Sequence, residues 1–169
     1  LFGSLSGSVS QHVARHATCP VVVVRPLRQP DATQIMVGVD GSDGARAALR
    51  FACSRARATG ESVVAVHAYR AWSGPMRDEG SSHRTAGGAE EAVRLLTEAT
   101  DVVRADADGI DLTTVAVPGP ADRLLLDLSA VSSLVVVGSR GRDAFAELLL
   151  GSVAHEVLRR AECPVAVVR

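Results

Sequence analysis

Short apolar runs alternate with amphipathic stretches along nearly the whole chain. Ile35–Asp40 is β-rich and apolar and closes on Asp-Gly-Ser, a strand followed by a helix-cap signal. Ala45, Ala48, Leu49, Ala52 and Ala56 then recur at helical spacing, and Gly60 ends that helix. Val63–Tyr69 is a second strand. Residues 70–88 mix Gly, Pro, Ser and charge without a period, which predicts a long surface loop. Helical spacing resumes in Val93, Leu96, Ala99 and Val103. Leu112–Val117 is a third strand, stopped by Pro118-Gly119-Pro120. Leu124, Leu125 and Leu128 mark a short helix. Leu134–Val137 reads as a strand buried on both faces, Ser152–Ala161 as the last helix and Val165–Val168 as the fifth strand. The βαβαβαβαβ order predicts an α/β fold, a doubly wound five-stranded parallel sheet covered by helices on both sides. Ligands of such sheets bind beyond the carboxyl ends of the strands, where the strand order reverses.

The first 25 residues stand outside that order. Residues 7–25, GSVSQHVARHATCPVVVVR, align without a gap on residues 151–169, GSVAHEVLRRAECPVAVVR. A repeat at a domain-sized distance implies tandem duplication rather than a solenoid. Residues 1–25 are therefore expected to be the last helix and strand of a truncated first domain. Residues 26–33, PLRQPDAT, read as a linker and 34–169 as a complete second domain.

Composition narrows the function. Hydrophobic residues make up 47% and aromatics 3%, so the core is expected to be aliphatic. All 18 basic residues are Arg, and the net charge of -1 lacks the excess of a dedicated nucleic-acid binder. No apolar run approaches the ~20 residues that span a bilayer. The N-terminus lacks the pattern of a signal peptide and an initiator Met, so the chain is read as beginning inside a longer protein. Cys19, Cys53 and Cys163 have no metal-type spacing, and an odd count suits a reducing cytoplasm. Cys19 and Cys163 are expected to be small buried residues at helix–strand junctions.

The strongest candidate chemistry follows the fourth strand. Residues 138–152, GSRGRDAFAELLLGS, have the spacing G-x2-G-x9-G-S. Gly138 and Gly141 permit unusual backbone conformations and close ligand approach. Gly151-Ser152 opens a helix, whose free N–H groups and dipole favour an anion, and the Ser152 hydroxyl can cap that helix or meet phosphate. Arg140 and Arg142 add positive charge. Taken alone, the loop is read equally well as a flexible turn with a helix cap. It is neither a Walker A loop nor a dinucleotide fingerprint.

The loop resembles the ATP-binding motif of the universal stress protein family. So do Val37–Ser42, V-G-V-D-G-S, and the final Cys163-Pro164-Val165. The resemblance implies a Rossmann-like fold of the adenine nucleotide alpha hydrolase type, dimerisation, and the ATP-binding class; for such binding Mg2+ at the phosphates is expected. It assigns Asp40 to the ribose hydroxyls, with Gly38 and Val39 beside the base and the backbone of Ala68 at adenine. Val137, Gly138 and Gly141 would line the ribose and phosphates, and Gly151, Ser152 and Val153 would hold the phosphates. Ala154 departs from the Ser or Thr of many binding members, and Asp143 is an acidic residue in a cationic loop. The last strand of such domains resembles a dimer edge, so Val21–Val24 is expected to pair antiparallel with Val165–Val168.

Other polar residues are read as structural. His67 is expected to be a packed strand-end residue, and Tyr69 and Trp72 exposed aromatics near the loop. His12 and His155 do not align in the repeat, which discourages a shared metal site. No Ser-His-Asp, HExxH or paired-carboxylate constellation appears. The expectation is thus an ATP-binding stress-response module acting as a nucleotide-regulated switch. The alternatives are a nucleotide-free dimeric scaffold or an enzyme hydrolysing ATP slowly.

Overall fold

A computed structural model describes residues 8–70, 82–105, 107–142 and 149–169. The elements in chain order are α1 (Ser8–His16), β1 (Val21–Val23), β2 (Gln34–Gly38), α2 (Asp43–Thr59), β3 (Ser62–Tyr69) and α3 (Ser82–Val102). They continue with β4 (Leu112–Pro118), α4 (Ala121–Ser129), β5 (Leu134–Gly138), α5 (Ser152–Arg160) and β6 (Val165–Val168). One mixed sheet runs β1-β6-β5-β2-β3-β4. The five strands from β2 to β6 are parallel, as the alternating pattern predicts, and β1 joins β6 antiparallel.

Alternation along each strand sorts the core into two layers. Ile35, Val37, Val63, Ala65, Val136 and Ala166 face α2 and α3. Met36, Val64, Val66, Val135, Val137 and Val165 face α4 and α5 on the opposite side. Helices α2 and α3 connect β2, β3 and β4 in one direction along the sheet, and α4 and α5 lead into β5 and β6 on the other side of β2. The order therefore reverses between β2 and β5, which opens a crevice at their carboxyl ends.

Local chemistry sets the helix ends. Ser42 caps α2 by accepting the Ala45 N–H at 3.1 Å. Gly60 ends it at φ 76°, its N–H donating to the Ala56 carbonyl.

Three expectations change. The aperiodic stretch 70–88 is not loop throughout: α3 begins at Ser82, and residues 71–81, with Trp72, lie outside the described residues. The start of that helix, Ser-His-Arg-Thr-Ala-Gly-Gly, has no large apolar residue to mark a helical period. At Gly88 an added Cβ would stand 3.5 Å from the Tyr69 ring, so a small residue suits this contact. Tyr69 is accordingly half-buried in β3 rather than exposed in a loop. Cys163 is buried as expected, but its repeat counterpart Cys19 is exposed. Cys163 has α5 and the neighbouring strands around it, whereas β1 has a sheet partner on one side only.

The β1–β6 ladder has an approximate twofold symmetry. Val21 pairs with Val167, Val22 with Ala166 and Val23 with Val165. By the repeat, Val21 corresponds to Val165 and Val23 to Val167, so the two outer pairs exchange. The symmetry extends to the arginines that follow. Arg25 donates to the carbonyls of Leu158 and, at 2.6 Å, Ala161. Its counterpart Arg169 donates to the carbonyls of Ala14, at 3.3 Å, and of Arg15. Leu158 and Ala14 are themselves repeat-equivalent.

Candidate functional site

The crevice between β2 and β5 is a cavity of about 500 Å³, within the ~300–1,000 Å³ of small-molecule sites. Every residue to which the sequence assigned a ligand contact lines it. Gly38, Val39 and Asp40 come from the end of β2, and Ala68 from β3. Val137, Gly138, Arg140, Gly141 and Arg142 come from β5 and its loop, and Gly151, Ser152 and Val153 from the start of α5. Asp143 lies outside the described residues.

Asp40 ties the two sides together. Its Oδ1 accepts the Ser42 N–H at 2.9 Å and the Ser42 hydroxyl at 2.6 Å. Its Oδ2 accepts the main-chain N–H of Arg142 at 2.9 Å. The loop is further closed where Gly151 N–H donates to the carbonyl of buried Ser139 at 2.8 Å.

Gly138 and Gly141 serve close contact rather than unusual backbone angles. Positive φ occurs at Gly41, Gly60, Gly109 and Gly119, not at Gly138, Gly141 or Gly151. A Cβ on Gly138 would lie 2.7 Å from the Gly44 carbonyl carbon in α2, and one on Gly141 would lie 2.5 Å from Asp40 Oδ2. At Gly151 the nearest atoms would be 3.6 Å away, an ordinary contact.

Helix α5 opens on the cavity with Gly151 as its N-cap and no side-chain cap. Ser152 is therefore the first helical residue, exposed, and does not cap the helix. An uncapped first turn leaves N–H groups available to an anion. Ala154 lines the cavity and is buried against the second core layer. The Arg142 guanidinium lies over Gly41, where a Cβ would meet Nη2 at 2.6 Å. It sits close enough to α3 to help lower the pKa of Glu91, whose main cause is a hydrogen bond from Arg94.

The apolar wall contains residues that the sequence reading assigned only to structure. Val66 and His67 from β3 and Ala121, Leu124 and Leu125 from α4 also line the cavity. His67 Nδ1 stands 2.6 Å from the Val39 carbonyl, so Nδ1 carries the proton and donates. It is a packed strand-end residue, as expected, and also a wall of the cleft. Leu125 closes on Gly38, where a Cβ would meet Cδ1 at 3.1 Å. The signal for α4 was topological: its helix begins just beyond the carboxyl end of β4.

A shallower hollow of about 770 Å³ lies at the opposite ends of the strands, crossed by an Arg28–Glu162 ion pair. Asp127 and Arg160 also line it, without the glycine loop or helix N-terminus that distinguish the cleft. Among the described residues no group of three His, Cys, Asp or Glu side chains could hold a metal ion, and no helix is long and apolar enough to cross a membrane.

Fold and cleft define a doubly wound α/β domain with a polar-floored cleft at its switch point. The sequence profile of the universal stress protein family matches residues 32–169, and the chain belongs to that family. It is 34% identical over 171 residues to universal stress protein Rv2623 of Mycobacterium tuberculosis, an alignment covering 99% of this chain and 57% of that protein. It thus spans little more than half the length of such relatives. A universal stress protein solved in complex with cAMP is 28% identical, with TM-score 0.64, over 82% of this chain and 97% of that one. One from Archaeoglobus fulgidus solved with dAMP is 25% identical, with TM-score 0.57, over 81% and 98%.

Proposed function

We propose that the cleft binds an adenine nucleotide, ATP with Mg2+, and that the chain acts in stress response as a nucleotide-regulated switch. The carrying observation is convergence: residues from four separate stretches, picked for nucleotide contacts, line one cavity. The apolar wall of Val66, Leu124, Leu125 and Val137 suits a base, Asp40 suits a sugar hydroxyl, and the first turn of α5 suits phosphate. The relatives solved with cAMP and dAMP support an adenine nucleotide as ligand class. Mg2+ would be held by phosphate oxygens and water rather than by a protein cage. Titration calorimetry of Mg-ATP into the intact chain tests this. Saturable heat that Asp40→Ala abolishes is expected; no heat, with Asp40→Ala indistinguishable, would sink the reading.

A second element of the proposal concerns residues 8–25. Their twofold-related pairing with β6 and α5 supports the end of another copy of the domain, docked as one half of a tandem pseudo-dimer. The same edge would serve a homodimer in a chain lacking β1.

A further inference from the structure

Asp40 is the polar group placed for a sugar in this cleft, and the donors already on it limit what it can read. An ionised carboxylate only accepts hydrogen bonds, at about four lone-pair positions over two oxygens. Among the described residues, three donors hold Asp40. Ser42 N–H and Ser42 Oγ–H, at 2.9 and 2.6 Å, together fill Oδ1. Arg142 N–H, at 2.9 Å, takes one position on Oδ2. The α-carbon of Gly141 crowds the same oxygen so closely that a Cβ there would stand 2.5 Å away.

Each of these donors also belongs to the local fold. The Ser42 hydroxyl also accepts the Ala45 N–H at 3.1 Å as the cap of α2, so it is held between Asp40 and the helix start. The Arg142 N–H fastens the glycine loop across the cleft to the same carboxylate. Among the described residues, one acceptor position, on Oδ2, is left untaken. The two neighbouring hydroxyls of a ribose would need two.

We propose that Asp40 reads a single sugar hydroxyl, so that the cleft takes ribonucleotides and one class of deoxynucleotide alike. This rests on the nucleotide reading and narrows it: the substrate class is adenine nucleotides bearing the one hydroxyl that Oδ2 accepts. The other hydroxyl makes no bond to Asp40.

The test varies the ligand, so it does not depend on a variant that might misfold. Calorimetry on the wild-type chain compares ATP, 2′-deoxyATP and 3′-deoxyATP, each with Mg2+. One deoxynucleotide is expected to bind within about twofold of ATP, and the other roughly tenfold or more weaker, the effect of losing a hydrogen bond to a charged group. Equal loss for both deoxynucleotides, or no loss for either, overturns the proposal while leaving nucleotide binding intact. A chain that binds none of the three overturns the nucleotide reading itself. In Asp40→Asn the gap between the two deoxynucleotides should close; a gap that persists assigns the hydroxyl to another group and also overturns the proposal.

Discussion

Arg25 and Arg169 are exchanged by an approximate twofold axis, each donating to main-chain carbonyls near the C-terminal end of the other copy's helix. The last carbonyls of a helix lack intrahelical donors and carry the negative end of its dipole. A guanidinium there satisfies both needs. Burial lowers the Arg25 pKa from its ordinary value, but its charge remains at any pH the protein would meet. Arg25→Ala is therefore expected to lose about 1–2 kcal/mol of the docking of α1 and β1. Hydrogen exchange at Val21–Val23 should accelerate while β2 and β5 stay protected. Uniform loss of protection across the sheet would contradict local docking.

The strand ladder between those arginines makes a second prediction. Because the outer pairs of β1 and β6 exchange under the repeat, β6 is complementary in register to a second β6. Val22→Pro removes a backbone donor and a favourable strand conformation from β1. It is expected to free the β6 edge, which then pairs with the same edge of another chain. Light scattering after gel filtration should show the mass doubling with concentration. A variant that stays monomeric across the micromolar range, with β1 shown to be detached by hydrogen exchange, would count against the paired edge.

The topology was legible because strand burial follows the alternation of apolar positions. Runs such as Leu134–Val137 have few other ways to be buried, and β5 is central in the sheet. The position of the cleft was legible for the same reason, since a switch point follows from strand order. Ser42 was visible as part of a turn but not as an anchor of Asp40, because that bond depends on how the turn folds back. Leu124 and Leu125 read as core because a helical period cannot say which edge of a core faces a cavity. The beginning of α3 was hidden because Ser82 to Gly88 contains no large apolar residue from which a helical period could be read. Gly138 and Gly141 line the cleft without positive φ, so of the two roles read for them the unusual backbone angle is not used; backbone angles and through-space contacts leave the same letter in a sequence.

That difference in cause can be measured. Gly138 backs onto Gly44 with no room for a methyl group, and both sides of the contact are backbone. Gly138→Ala should therefore destabilise the fold by about 1–3 kcal/mol, by overpacking, with or without nucleotide. Gly151 has ordinary space around an added Cβ and a φ of -69° that alanine adopts. Gly151→Ala should cost less than about 1 kcal/mol in urea melts. A Gly138→Ala chain as stable as wild type would show that the approach of α2 to β5 is not fixed by that glycine.

The cysteines supply a chemical readout of the same packing. Burial pushes the Cys163 thiol up to about 11, against an ordinary value of 9.0. Between those two values the unfolded thiol loses its proton while the folded one keeps it. The unfolded state then binds fewer protons, so this group's contribution makes stability fall as pH rises from 9 to 11 and leaves it flat below 9. Cys163→Ala should flatten that part of the stability profile. Exposed Cys19, by contrast, is open to reagent in the folded chain. Iodoacetamide at neutral pH should alkylate Cys19 first, and Cys163 and Cys53 only as the domain opens. Peptide mass spectrometry of partly labelled protein separates the three sites, and equal early labelling of Cys19 and Cys163 would mean that the α5–β6 junction is not closed as described.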